Sequence, residues 1–178
     1  MKPNSLQELY VEQLSDLYDA EHQIIKALPK LIDAAKSRAL KTALTEHLQV
    51  TKTHANRIEQ IFEQLGKKAK GEKCKGMQGV IQEGSDLVEE IKDVATRDAA
   101  IIASAQRVEH YEMAGYGTAR TYAELLGHEE AGKALQQTLD EEKEADQKLT
   151  ELAGEANANA AEGKTSKTEK GAREKHVA

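Results

Sequence analysis

Three features of the sequence predict an all-α chain folded as an antiparallel four-helix bundle. The strong helix formers Ala, Leu, Glu, Lys and Gln dominate, while 178 residues hold only two prolines, one Phe and no Trp. Apolar residues recur at intervals of three and four over long stretches, the period of a helix face rather than of a strand. Ser, Asn, Asp and Gly punctuate those stretches where helices start and stop.

The first helix begins after Pro3, with Asn4 or Ser5 as N-cap, and runs to about Ala35. Its buried stripe reads Leu6, Tyr10, Leu14, Leu17, Glu21, Ile24, Leu28, Leu31, and Pro29 inside it predicts a kink rather than a stop. Ser37 caps the second helix, which ends at Gly66 and carries the stripe Leu40, Leu44, His47, Thr51, His54, Ile58, Ile61, Leu65. A basic connector, GKKAKGEKCKG, leads into 76-GMQGVIQEGSDLVEEI-91, read as one or two short helices that carry the chain across to the second hairpin. A third long helix spans about Asp93 to Leu126 and is ended by Gly127; a fourth starts near His128 and reaches about Ala153. Two hairpins joined by a crossover make a four-helix bundle over residues 1–153. Residues 154–178 have almost no large apolar side chain and are expected to form a disordered tail.

Several function classes are disfavoured. A formal charge of −6 does not suit a nucleic-acid surface. No apolar run approaches the roughly 18 residues of a membrane span, and the start MKPNSLQELY has no signal-peptide core, so a cytoplasmic protein is expected. The single cysteine, Cys74, excludes an internal disulfide and a CxxC metal knuckle; its Lys-rich surroundings are expected to lower its pKa. There is no nucleophile–base pair, phosphate loop or Gly-rich cofactor fingerprint. Gly115 and Gly117 fall inside a helix, where small residues let a neighbouring helix approach.

Polar residues within the apolar stripes carry the functional signal. In 107-RVEHYEM-113, Glu109 and Glu112 share a helix face with Ile102, Ala105, Tyr116, Ala119 and Leu126. In an antiparallel hairpin, residues equidistant from the turn lie at one height. Glu21 and His54 are equidistant from the Ser37 turn, and Glu112 and Glu142 from Gly127; Glu109 pairs in height with Asp146. Each set stands roughly 25 Å from its turn at about 1.5 Å per residue. An unpaired buried carboxylate costs several kcal/mol, and several converging ones repel each other as well. A bound cation is the simplest compensation, and Fe, Mn or Zn accepts carboxylate and imidazole together. The two halves also echo one another: Glu21-His22 parallels Glu109-His110, and 48–58 aligns without a gap with 139–149, matching Thr51 to Glu142.

The segments 16-DLYDAEHQIIKALPKL-31, 107-RVEHYEMAGYGTARTYAELLG-127 and 139-LDEEKEADQKL-149 resemble the YciF-type family of bacterial stress proteins, within the ferritin-like, rubrerythrin-related superfamily. The resemblance covers about residues 5 to 153. It implies a ferritin-like four-helix bundle with an extra helical element, a homodimer and a two-metal pocket. The ligands it implies are Glu21, Glu109, Glu112 and Glu142, with Asp146 where a histidine often stands. The second helix departs from the family pattern: in 51-TKTH-54 threonine takes the place of the first carboxylate, leaving His54 as the ligand. In the last helix the residue three after Glu142 is Ala145. His47 reads as a core or supporting residue, and Tyr116 as a packing residue that could equally hydrogen-bond a carboxylate behind the ligands.

The expected function is that of a redox protein with two iron or manganese ions reacting with peroxide or dioxygen. Glu109 or Glu142 would bridge, and an external donor would supply electrons. The alternative is a non-catalytic, stress-induced helical dimer whose buried polar residues specify packing.

Overall fold

In the computed structural model, which describes residues 3–174 and the side chains of residues 3–162, five helices follow one another. They are α1 (Leu6–Ala34), α2 (Arg38–Gln64), α3 (Lys75–Glu90), α4 (Val94–Leu125) and α5 (Glu129–Glu174). No strand occurs among the described residues.

Local chemistry sets the boundaries. The side chains of Ser5, Ser37, Cys74 and Asp93 accept the backbone N–H groups of Glu8, Leu40, Met77 and Thr96, so four helices begin with a side-chain cap. Gly66 and Gly127 stand at φ 65° and 76°, the left-handed conformation that side chains resist. There the N–H of Lys67 donates to Phe62 O and that of His128 to Ala123 O, each at 2.9 Å, closing α2 and α4 with the same motif. The α1–α2 turn has no glycine. It is held from a distance by buried Asp98 of α4, whose two carboxylate oxygens accept the N–H groups of Lys36 and Ser37 at 2.7 Å each.

The hairpins α1–α2 and α4–α5 pack so that α1 also meets α4 and α2 meets α5, giving a four-sided bundle. The crossover is a single helix, α3, lying outside the bundle against α1 and α4. Gly115 brings α4 close to α1, since a Cβ there would lie 2.7 Å from Leu17 Cδ2; Gly117 makes no such approach. One expected boundary moves. The last helix does not stop at Ala153: Ala156 packs against the core, and helical backbone continues to Glu174. The Ala-rich stretch 154–161 has the propensity for this, although none of residues 151–162 is buried.

The core comes in two pieces. One, around Ile24, Leu28, Leu40, Leu44, Ile101 and Leu149, fills the end nearest the α1–α2 turn. The other, around Tyr10, Leu14, Ile58, Phe62, Tyr116 and Leu135, fills the opposite end. Between Leu17 and Ile24, between Leu44 and Ile58, between Ala105 and Tyr116, and between Leu139 and Leu149, every bundle helix carries a buried glutamate or histidine. A polar layer therefore cuts the apolar core in two.

Candidate metal centre

Glu21 of α1, His54 of α2, Glu112 of α4 and Glu142 of α5 are fully buried, and Glu109 is 2 % exposed. Their ligating atoms form two groups, each within 4.8 Å: Glu21, His54 and Glu142 in one, His47, Glu109, Glu112 and Glu142 in the other. Glu142 belongs to both. Five of the six residues expected from the sequence are thus brought together.

Asp146 is the exception. It accepts a hydrogen bond from Gln106 Nε2 at 3.0 Å, lies 3.4 Å from His110 Nε2 and joins neither group. One turn beyond Glu142 on the same side of α5, it is half-buried, and Gln106 and His110 of α4 hold its carboxylate away from both groups. His47 takes part instead, its Nε2 lying 3.3 Å from Glu109 Oε1. Its position in the apolar stripe, two turns before His54, was the available signal. Thr51 between them is buried, its O–H donating to the His47 carbonyl.

Unused bonding capacity marks the layer. Glu21 Oε2, Glu109 Oε2 and both oxygens of Glu112 and of Glu142 are buried without a hydrogen-bond partner, as are His47 Nε2 and His54 Nδ1. His54 Nδ1 lies 2.8 Å from Glu142 Oε1 and 3.6 Å from Glu21 Oε1 without the alignment of a hydrogen bond. Carboxylate and imidazole atoms converging in a buried layer without hydrogen-bond partners suit a cation. The donor set of carboxylates and imidazoles fits iron, manganese or zinc.

A supporting shell surrounds this set. His54 Nε2–H donates to Glu141 Oε2 at 2.8 Å, which leaves Nδ1 as the ligating atom. Arg57 grips the same Glu141 through both terminal nitrogens, at 2.5 and 2.8 Å, and donates to Thr138 at 3.0 Å. Partial burial works against the Glu141 carboxylate, but bonds from Arg57, His54 and Gln137 hold its carboxyl down at about 2. Buried Tyr116 donates its O–H to Glu21 Oε1. Neither Glu141 nor Arg57 was visible in the sequence as part of a site. Glu141 adjoins Glu142 in an acid-rich run, and only the packed structure turns it toward α2.

Burial and the adjacent Glu142 push the Glu109 and Glu112 carboxyls well above the usual range. Burial likewise raises Glu21 to about 8, against the pull of His54. Burial would lower His54, but the close Glu142 carboxylate and the charge of Glu21 raise it overall. Without a cation the layer therefore holds protons, which a metal would displace.

Cys74 corrects a further expectation. The thiol is fully buried, caps α3 and lies 3.1 Å from both Asp16 Oδ2 and Tyr111 O–H. Burial pushes it up, not down.

Residues 5–162 match the family described as a domain of unknown function, DUF892. The protein YciF of Escherichia coli K12 is 44% identical over 154 residues, 86% of this chain and 93% of that protein. The crystal structure of the E. coli stress protein YciF superposes with a TM-score of 0.84 at 42% identity, covering 88% of this chain and 99% of that one. The structure of YcfI from Rhodopseudomonas palustris, whose description proposes a structural role, superposes with a TM-score of 0.82 at 44% identity, covering 84% and 95%. The chain belongs to the DUF892 family.

Proposed function

We propose that this DUF892 chain holds two ions of iron or manganese in the polar layer, and that the loaded protein reacts with peroxide or dioxygen. The observation behind this is the set of buried, partnerless carboxylate and imidazole atoms from all four bundle helices. Glu142 is common to both groups and would contribute to both positions. Glu21 and His54 would serve one position; His47, Glu109 and Glu112 would serve the other. Bound there, the ions would supply one-electron steps that no side chain in the layer offers. The chain's own residues do the rest. Two apolar core halves bound the layer on either side, Glu141 and Arg57 fix the His54 ring, and Tyr116 holds a proton at Glu21. With no CxxC module, electrons come from a separate donor. The E. coli relative's description as a stress protein supports a stress setting here, and the family resemblance supports a homodimer.

The test is to load the protein anaerobically with Fe(II) and mix it with hydrogen peroxide or air in a stopped-flow instrument. Oxidation faster than that of Fe(II) in buffer, saturating at two ions per chain, is expected. Equal rates with and without protein would end the redox reading.

A second reading, a non-catalytic packing role, draws on the Arg57–Glu141–His54 network and the Tyr116–Glu21 bond, which close part of the layer without metal. Under it, Glu109→Gln leaves stability unchanged or raises it whether or not metal is added. Under the redox reading the same substitution weakens metal-dependent stabilisation.

A further inference from the structure

A cavity of about 310 Å³ opens between α1, α3 and α4 and ends at His47 and Glu109. Its volume lies in the range of sites for small organic ligands. The walls are apolar, with Ile24, Leu28 and Leu31 on one side and Ile81, Ala105 and Val108 facing them. Two exposed lysines, Lys26 and Lys30, edge the opening, and Glu109 at the inner end is the only acidic residue in the lining. Among the described residues neither lysine has an ion-pair partner.

Within the wall stands a hydroxyl with nothing to bond. Ser104 is 5 % exposed and its Oγ has no partner. The other buried serine and threonine hydroxyls, on Ser15, Thr51 and Thr138, each donate to the carbonyl four residues back. Gly84 of α3 passes so close that a Cβ there would lie 2.8 Å from Ser104 Cβ, so α3 closes the cavity over this side chain. A smaller cavity of about 200 Å³ between α2 and α5 reaches the same His47 and Glu109, but Glu46, Glu141, Glu144 and Lys148 edge it. That route suits cations and water rather than an apolar body.

We infer that the α1–α3–α4 cavity binds an amphiphilic organic anion, with its charged head at Lys26 and Lys30, its apolar body between α1 and α3, and an uncharged polar group delivered past Ser104 to His47 and Glu109. The inference rests on the two-metal reading only for what happens to that polar group; binding itself needs no metal. The wall residues select the bound molecule by length and head charge.

Calorimetric titration of the full chain, as purified and after chelation, tests this with ω-hydroxydecanoate and with 1-decanol. Saturable binding of both is expected, with the carboxylate tighter. Lys26→Glu/Lys30→Glu, confined to exposed positions, should weaken ω-hydroxydecanoate by about tenfold and leave 1-decanol unchanged. Ala27 lines the same cavity from α1, and Ala27→Trp, which puts an indole into it, should abolish both with helix content and metal content intact. No saturable binding, or binding indifferent to the lysine reversal and to Ala27→Trp, overturns the proposal. So does ligand-free self-association, followed by sedimentation, that either variant breaks, because the face would then belong to a second copy of the chain. Binding by the chelated protein that persists after the metal test has failed separates the two readings.

Discussion

His54 shows how one side chain joins the two functions of the layer. One ring nitrogen is committed to Glu141 and the other faces Glu21 and Glu142, so the ring can turn neither way without leaving a buried polar atom worse placed. Arg57 in turn keeps Glu141 charged and aimed. Glu141→Gln therefore should weaken metal binding by about 10- to 100-fold, the usual effect of losing a partner behind a ligand, while the bundle stays folded. Competition against a chelating dye measures this. Unchanged affinity would mean that the His54 ring is fixed by packing alone. The carboxylates Glu21, Glu109, Glu112 and Glu142 were legible in the sequence because each interrupts an apolar stripe. His47, Glu141 and Asp146 were not fully legible. A helical period places a residue on a face only to within tens of degrees, and the difference between ligand, support and bystander lies inside that margin.

At the scale of elements, punctuation did most of the work. Ser5, Ser37, Asp93, Gly66 and Gly127 all stand at the helix ends that their chemistry suggests. The fixing of the α1–α2 turn by Asp98 could not be read, because the contact spans more than sixty residues and Asp98 looks like an ordinary acidic residue near the start of a helix. Its two hydrogen bonds join a carboxylate to otherwise unpaired backbone N–H groups. Asp98→Ala should cost about 3 kcal/mol, measured by urea unfolding. A loss below about 0.5 kcal/mol would show that the turn is held by α1 and α2 themselves. The last helix ran past its expected end for a related reason. Gly154 and the small polar residues after it read as a tail, yet Ala156 still touches the core and the alanines have the propensity to continue the helix.

The whole molecule is two apolar half-cores separated by a layer of buried acids. Such a layer costs stability when it must ionise empty. Glu21, near 8 in the folded chain, and Glu109 and Glu112, also raised, hold protons that the unfolded chain releases above its ordinary carboxylate range. The folded state then binds more protons than the unfolded one. Metal-free stability is therefore fully present below about pH 4.5 as far as these groups are concerned, and falls as pH rises toward and through about 8. Thermal unfolding of chelated protein between pH 5 and 8.5 should show that decline. A bound metal should flatten or reverse it, since the cation takes the place of the protons. Stability that climbs with pH in the chelated protein would mean that the acids are paired in a way the geometry does not show.

The most direct measurement is the metal content of protein purified without a histidine tag, beside a Glu109→Ala/Glu142→Ala variant. The account predicts about two iron or manganese ions per chain in the first and almost none in the second, because Glu142 serves both positions. A folded wild-type protein that carries no metal and takes up neither Fe(II) nor Mn(II) would contradict it, and the acids that split this core would then be structural.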